Sequence, residues 1–179
     1  EGGLLYRLDN ETSGVVLFAT SQKTFDQFTA DVQGGRVKKH YLAYVKGVVQ
    51  TEAGAINFPI AHHPRSKRKM VAQKEHNQQK RGNWRSASTL YKVIKRDSHG
   101  NCWIHVMILQ GARHQIRVHC AAIGHPLVGD KLYDLTTPTE SKMLLRCHSI
   151  EWTNKQQIFS LTDLALTQEE IGTFPPLTS

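Results

Sequence analysis

The chain has only three cysteines in 179 residues, Cys102, Cys120 and Cys147. They are odd in number, widely spaced and without a Cys-x-x-Cys pair. That excludes a disulfide scaffold and a zinc ribbon and reads as small buried hydrophobes in a reducing, cytoplasmic compartment. No stretch approaches the ~18 consecutive apolar residues of a membrane span, and no signal sequence, low-complexity tract or internal repeat stands out. A membrane partner is therefore not expected. Glycine-rich phosphate loops are missing, since Gly2-Gly3 and Gly34-Gly35 lack both the Walker lysine and dinucleotide spacing. Acidic residues are scarce, with 15 Asp and Glu against 23 Lys and Arg for a net charge of +8.

The positive excess is concentrated. Between Pro64 and Arg85 lie Arg65, Lys67, Arg68, Lys69, Lys74, Lys80, Arg81 and Arg85 against the single acid Glu75. Clustered cations recruit a polyphosphate backbone through counterion release, whereas an evenly charged surface recruits little. The alternative is a solvated loop with no ligand.

The length suits one domain that buries about 70% of its unfolded surface. Val15 to Ala19 reads as a buried strand and Gln22 to Gln33 as a short amphipathic helix, with Phe25, Phe28 and Val32 on one face and Gly34-Gly35 as the stop. From Lys39 to Val49 the period becomes two, with Tyr41, Ala43 and Val45 opposite Leu42 and Tyr44, as on a strand covered on both sides. The basic segment 61–86 reads as a polar loop. Leu90 to Lys95 and Cys102 to Leu109 form a hairpin through Asp97-Ser98-His99-Gly100-Asn101, where Gly and Asn can take positive φ. Ile116, Cys120 and Ile123 recur at helical spacing, giving a helix over Arg113 to Ile123 that ends at Gly124. Two further strands follow, Leu144 to Trp152 and Ile158 to Leu161, and Pro175-Pro176 marks a tail. The whole is α+β, with a mixed, mostly antiparallel β-sheet and flanking helices.

Several residues carry potential chemistry. Asp9, two residues after Arg7 in a polar turn ending at Gly14, can be a nucleophile or base if a cation keeps it ionised; equally it can be a turn aspartate bonding its own backbone. Arg113 and Arg117, four apart on one helical face with His114 beside them, require an anion, either a carboxylate or a phosphate. The alternative is an exposed basic face. Ten histidines invite a metal, but His114 and His119 are five apart and so turned about 140° from each other on a helix. No His-Glu-x-x-His or zinc-deaminase pattern is present, so neither a metal nor another cofactor is expected. Only one of Tyr41 and Tyr44 can face a given site.

In order, "YRLDNETSG", "KKHYLAYVKG" and "GARHQIRVHCAAIGHPLVGDKLY" resemble the RluA-type pseudouridine synthases, which isomerise uridines within RNA. The family signature His-Arg-Leu-Asp-x-x-Thr-Ser-Gly is matched from Arg7 to Gly14, and "IAHHPRSKRKM" looks like the family's basic loop. The resemblance implies a pseudouridine synthase catalytic domain over 1–179 with an RNA-facing loop over 61–86. Asp9 matches the catalytic aspartate, Tyr41 the tyrosine packing on the target base and helping to remove its proton, and Arg117 the arginine pairing with the aspartate. Ile116 matches the aliphatic residue of the uracil pocket and Arg7 an RNA-facing arginine, while Arg113, His114, Arg65, Lys67 and Arg68 are further substrate-binding candidates. The implied partner is ribosomal or transfer RNA, a monomer is favoured, and no cofactor is implied. Two departures stand out: the signature's histidine is Tyr6, and Gly-Arg-Thr-His-Gln is Gly111-Ala112-Arg113-His114-Gln115. The family's strand-rich segment before the signature is missing, so the chain is expected to be N-terminally truncated. A non-catalytic RNA-binding module and a metal-dependent nucleic-acid hydrolase are the rival readings.

Overall fold

The computed structural model describes residues 3–139, 141–154 and 157–162; the Pro175-Pro176 tail lies outside them. Short strands β1 (Gly3–Leu4), β2 (Ser13–Gly14) and β3 (Phe18–Ala19) precede helix α1 (Gln22–Gln33) and the central strand β4 (Val37–Val45). Strands β5 (Ala53–Ile56), β6 (Ile60–His62), β7 (Met70–Ala72) and β8 (Arg81–Arg85) follow, then the hairpin of β9 (Thr89–Arg96) and β10 (Cys102–Ile108). Helix α2 (Gln115–Ala122) and strands β11 (Leu145–Asn154) and β12 (Gln157–Thr162) complete the described order. The main sheet runs β12-β11-β4-β10-β9-β5 with antiparallel neighbours, and β2 joins β11 in parallel. The expected α+β class with a mixed, mostly antiparallel sheet is what the chain adopts.

Helix α1 starts where expected because the Ser21 hydroxyl accepts from the Thr24 amide at 3.2 Å, and it stops where the Gly34 amide reaches back to the Ala30 carbonyl. Phe28 buries its ring edge-on to Trp152, centroids 5.1 Å apart. Strand β4 is buried on both faces, as its period-two pattern implied, because β11 and β10 flank it. It ends at Val45 rather than Val49, since Gly47 turns the chain at φ 78°. The β9–β10 hairpin turns through Gly100 at φ 75°, while Asn101 keeps a negative φ.

Three further expectations are corrected. The Val15 to Ala19 run is a strand only over Phe18–Ala19, with Val16 and Phe18 exposed. Gly14 is the reason: at φ +119° it lies so close to β11 that an added Cβ would stand 2.0 Å from the Cys147 carbonyl oxygen, and the Val15 amide donates to that same oxygen at 2.9 Å, so the run starts on the β11 edge. The basic segment is no loop but a three-stranded antiparallel sheet, β7-β6-β8. Ile60, Met70 and Ala72, sparse among charges, gather on one face against Val118 of α2, and the cations are left on the turns and outer face. Helix α2 begins at Gln115 rather than Arg113, because His114 takes a left-handed φ of 55° and the Gln115 side chain accepts the Ala112 amide. Arg113 is therefore off the helix and does not share a face with Arg117.

The sheet face opposite Tyr41 holds His40, His105 and His148, all buried. His40 Nδ1 lies 3.2 Å from His105 Nε2, and the His105 and His148 rings are 5.1 Å apart. Burial, with His40 beside it, draws His148 down from 6.5 to about 4. Burial likewise lowers His40. Between those values the unfolded chain binds more protons than the folded one, so stability falls with falling pH. The thermal midpoint is expected to drop from pH 6.5 to 4.5, and less so in a His148→Asn variant. Gly14→Ala is expected to cost about 2–3 kcal/mol in urea unfolding, from positive φ and collision with β11.

Candidate active site

A cavity of about 540 Å³ opens between the turn after β1, the Tyr41 face of β4 and the start of α2. It brings together Arg7, Asp9, Tyr41, Arg113, His114, Ile116 and Arg117. Asp9 sits in a tight turn in which the Thr12 amide donates to the Asp9 carbonyl at 2.9 Å, which leaves the carboxylate to face the cavity. Its Oδ2 is 3.6 Å from Arg117 Nη1, and its side chain remains 26% exposed, open to a ligand.

Arg117 is buried, and one edge of its guanidinium is already taken. Nε donates to Asp130 Oδ2 at 2.7 Å and Nη2 to Asp130 Oδ1 at 2.8 Å, a planar two-point pair. Burial works against the charge of Arg117, but the hydrogen bonds and charge of Asp130, with Asp9 adding to them, hold it above its usual range. Asp130 is in turn fixed by the Leu132 and Tyr133 amides, which donate to Oδ1 at 3.0 and 3.2 Å. The Tyr133 ring lies 5.3 Å from the guanidinium carbon. The anion expected opposite the arginine pair is thus Asp130 together with Asp9, and it meets Arg117 alone.

Tyr41 is buried in the cavity floor, while Tyr44 on the other face stacks on Trp103. Burial, with Cys147, Tyr6 and Asp9 around it, pushes the Tyr41 phenol well above its usual range, so it stands protonated. The Cys147 thiol beside it is raised as well, chiefly by burial. Tyr6 donates to the Val15 carbonyl and lies 3.9 Å from Cys147 Sγ. The residue that departs from the signature therefore braces the turn onto β11. Ile116 is 4% exposed and supplies an aliphatic wall. His114 Nδ1 is 2.9 Å from the Tyr133 hydroxyl. Burial, reinforced by Arg117 and Arg113, outweighs Asp9 and lowers its pKa, so the imidazole is neutral at pH 7.

Arg65, Lys67 and Arg68 do not line the cavity. They lie on the exposed β6–β7 turn, which is tied to its rim by Arg113, whose guanidinium donates to the Lys67 and Arg68 carbonyls at 3.3 and 3.5 Å. The Met70 amide of β7 donates to the Tyr133 hydroxyl at 2.8 Å. Asp130 and Tyr133, which anchor the site to the basic sheet, were missed in the sequence. Their only signal was an acid and an aromatic downstream of two arginines. His119, expected to turn away from His114, does so and bonds Thr89 and the Phe58 carbonyl.

The RNA pseudouridylate synthase model matches residues 2–122, and the chain belongs to that family. An uncharacterized RNA pseudouridine synthase of Aquifex aeolicus is 36% identical over 80% of this chain and 43% of its own length. Ribosomal large subunit pseudouridine synthase D of Nitrosomonas europaea is 33% identical over 78% of this chain and 38% of its own. The chain thus spans less than half the length of either relative. The solved structure of human RNA pseudouridylate synthase domain containing 1 shares the fold, with a TM-score of 0.77 at 23% identity over 91% of this chain and 69% of that one.

Asp130→Ala leaves a buried guanidinium with Asp9 alone and is expected to cost about 3–5 kcal/mol, read by urea unfolding.

Proposed function

We propose that this chain is the catalytic part of an RNA pseudouridine synthase, an isomerase that converts specific uridines in structured RNA without a cofactor. The observation that carries the reading is Asp9 facing a cavity with Arg117 3.6 Å away and Asp130 already holding the other edge of that guanidinium. A guanidinium held this way offsets the desolvation of a carboxylate when a base fills the cavity.

A uridine within folded RNA hides its glycosidic bond, so its base must leave the stack and rest against an apolar wall. Tyr41 and Ile116 are suited to be that wall. Asp9 then attacks ribose C1′ or uracil C6; the C1′–N1 bond breaks, the base rotates, C1′ bonds to C5, and the bond to Asp9 breaks to return its carboxylate. C5 gives up its proton and N1 gains one, so the reaction is an isomerisation with no net redox change. A protonated Tyr41 offers its ring first, and it serves as base at C5 only by passing its own proton on as it takes that one. Exposed Arg7 and Arg113 at the rim, with the exposed cations Arg65, Lys67 and Arg68 of the β6–β7 turn, suit contact with phosphates. Ribosomal RNA is favoured over transfer RNA as the target, since the Nitrosomonas relative is named for the ribosomal large subunit. Three free cysteines suit a cytoplasmic setting.

Asp9→Asn keeps the side chain's shape and removes the nucleophile. Release of the C5 hydrogen from tritiated uridine in RNA is expected to vanish while RNA affinity stays within about threefold; an active Asp9→Asn protein overturns the proposal.

A further inference from the structure

Lys39 stands two residues before Tyr41 on the same face of β4 and lines the same cavity, yet none of the roles above uses it. It is 5% exposed. Of the two buried cations among the described residues, Arg117 has two carboxylates. Lys39 has no carboxylate within ion-pair distance of its ammonium among those residues. Its Nζ lies 5.0 Å from the centre of the Tyr6 ring and beside Gly111, where an added Cβ would stand in ordinary contact at 3.5 Å. Burial lowers its pKa, with Cys147 as the opposing influence. An ammonium kept out of water without an anion destabilises a fold, and such a group is retained where a ligand supplies the partner.

We infer that Lys39 binds a carbonyl oxygen of the flipped pyrimidine, O2 or O4, and neutralises the negative charge that the ring carries during the isomerisation. This role rests on the uridine-isomerase reading. If Asp9 attacks C1′, the glycosidic electron pair leaves with the base and spreads over N1, O2 and O4. If it attacks C6, the C5=C6 pair moves toward O4. Either way the charge disappears when C5 has exchanged its proton for C1′ and N1 has been protonated. A preorganised donor in a dry site acts on charge of this kind more strongly than in water. A backbone phosphate is the poorer partner, because Nζ shares the floor with Tyr41 while the exposed arginines Arg7 and Arg113 occupy the rim.

The test uses the full-length protein and tritium release from total RNA labelled with [5-³H]uridine in a strain lacking the gene. Lys39→Met is expected to lower kcat on the order of 100-fold. RNA affinity by filter binding should stay within about threefold, and the thermal midpoint should hold or rise, since Met fills the same space without a charge. Lys39→Arg should recover part of kcat, and the wild-type rate should decline at alkaline pH as the ammonium deprotonates, a decline the Met variant lacks. A Met variant with kcat within threefold of wild type overturns the role, as does one with kcat kept and KM raised, or one with a lowered midpoint. A wild-type protein that releases no tritium overturns both this role and the uridine-isomerase reading, whereas an active wild type beside an equally active Met variant overturns the role alone.

Discussion

A guanidinium removed from water has to be met by anions on more than one edge, and the site is organised by how Arg117 meets that requirement. Asp130 takes two of its nitrogens in one plane, which fixes the direction of the third. That third nitrogen faces Asp9. Without Asp130, the Asp9 carboxylate would be the sole counter-charge of a buried cation and would be drawn into a tight pair. With it, Asp9 sits at a longer 3.6 Å and remains partly exposed, close enough to feel the charge and open enough to reach a ligand.

The same anchor joins the site to the basic sheet. The turn that carries Asp130 also carries Tyr133, whose hydroxyl accepts from Met70 of β7 and contacts His114, and whose ring lies against Arg117. Arg113 closes a second link to the β6–β7 turn. The exposed basic turn and the cavity therefore share their supports, and a displacement of one bears on the other. On the far side of the central strand burial disfavours the charged forms of His40 and His148, and the charges on that face, Lys38 and Glu151, pair with each other at 3.2 Å.

The elements that could be read from the chain were those whose cause is local. Helix α1 is marked by a serine cap, an apolar stripe and a glycine stop, and all three lie within its own span. The β9–β10 hairpin is marked by its turn residues, and β4 by alternation. The errors share a different cause. The β6–β8 sheet is held by a few apolar side chains against Val118 of α2, a contact invisible in a stretch dominated by charge. Helix α2 starts late because His114 adopts a left-handed conformation that local pattern does not announce.

For the site, the sequence by itself determined which chemical groups are available: a turn aspartate, a strand tyrosine, an arginine-rich segment and a concentrated positive charge. Their order along the chain pointed to the family. Only the tertiary structure decided which of them meet. Arg117 rather than Arg113 pairs with Asp9, because one lies inside the helix and is buried while the other precedes it in solvent. Asp130 rather than a ligand satisfies the second edge of Arg117, and Lys39 is left facing the cavity without a carboxylate among the described residues. The physical reason is that ion pairing in the interior depends on distance and burial, which the folded chain sets between residues far apart in sequence and which no local spacing encodes.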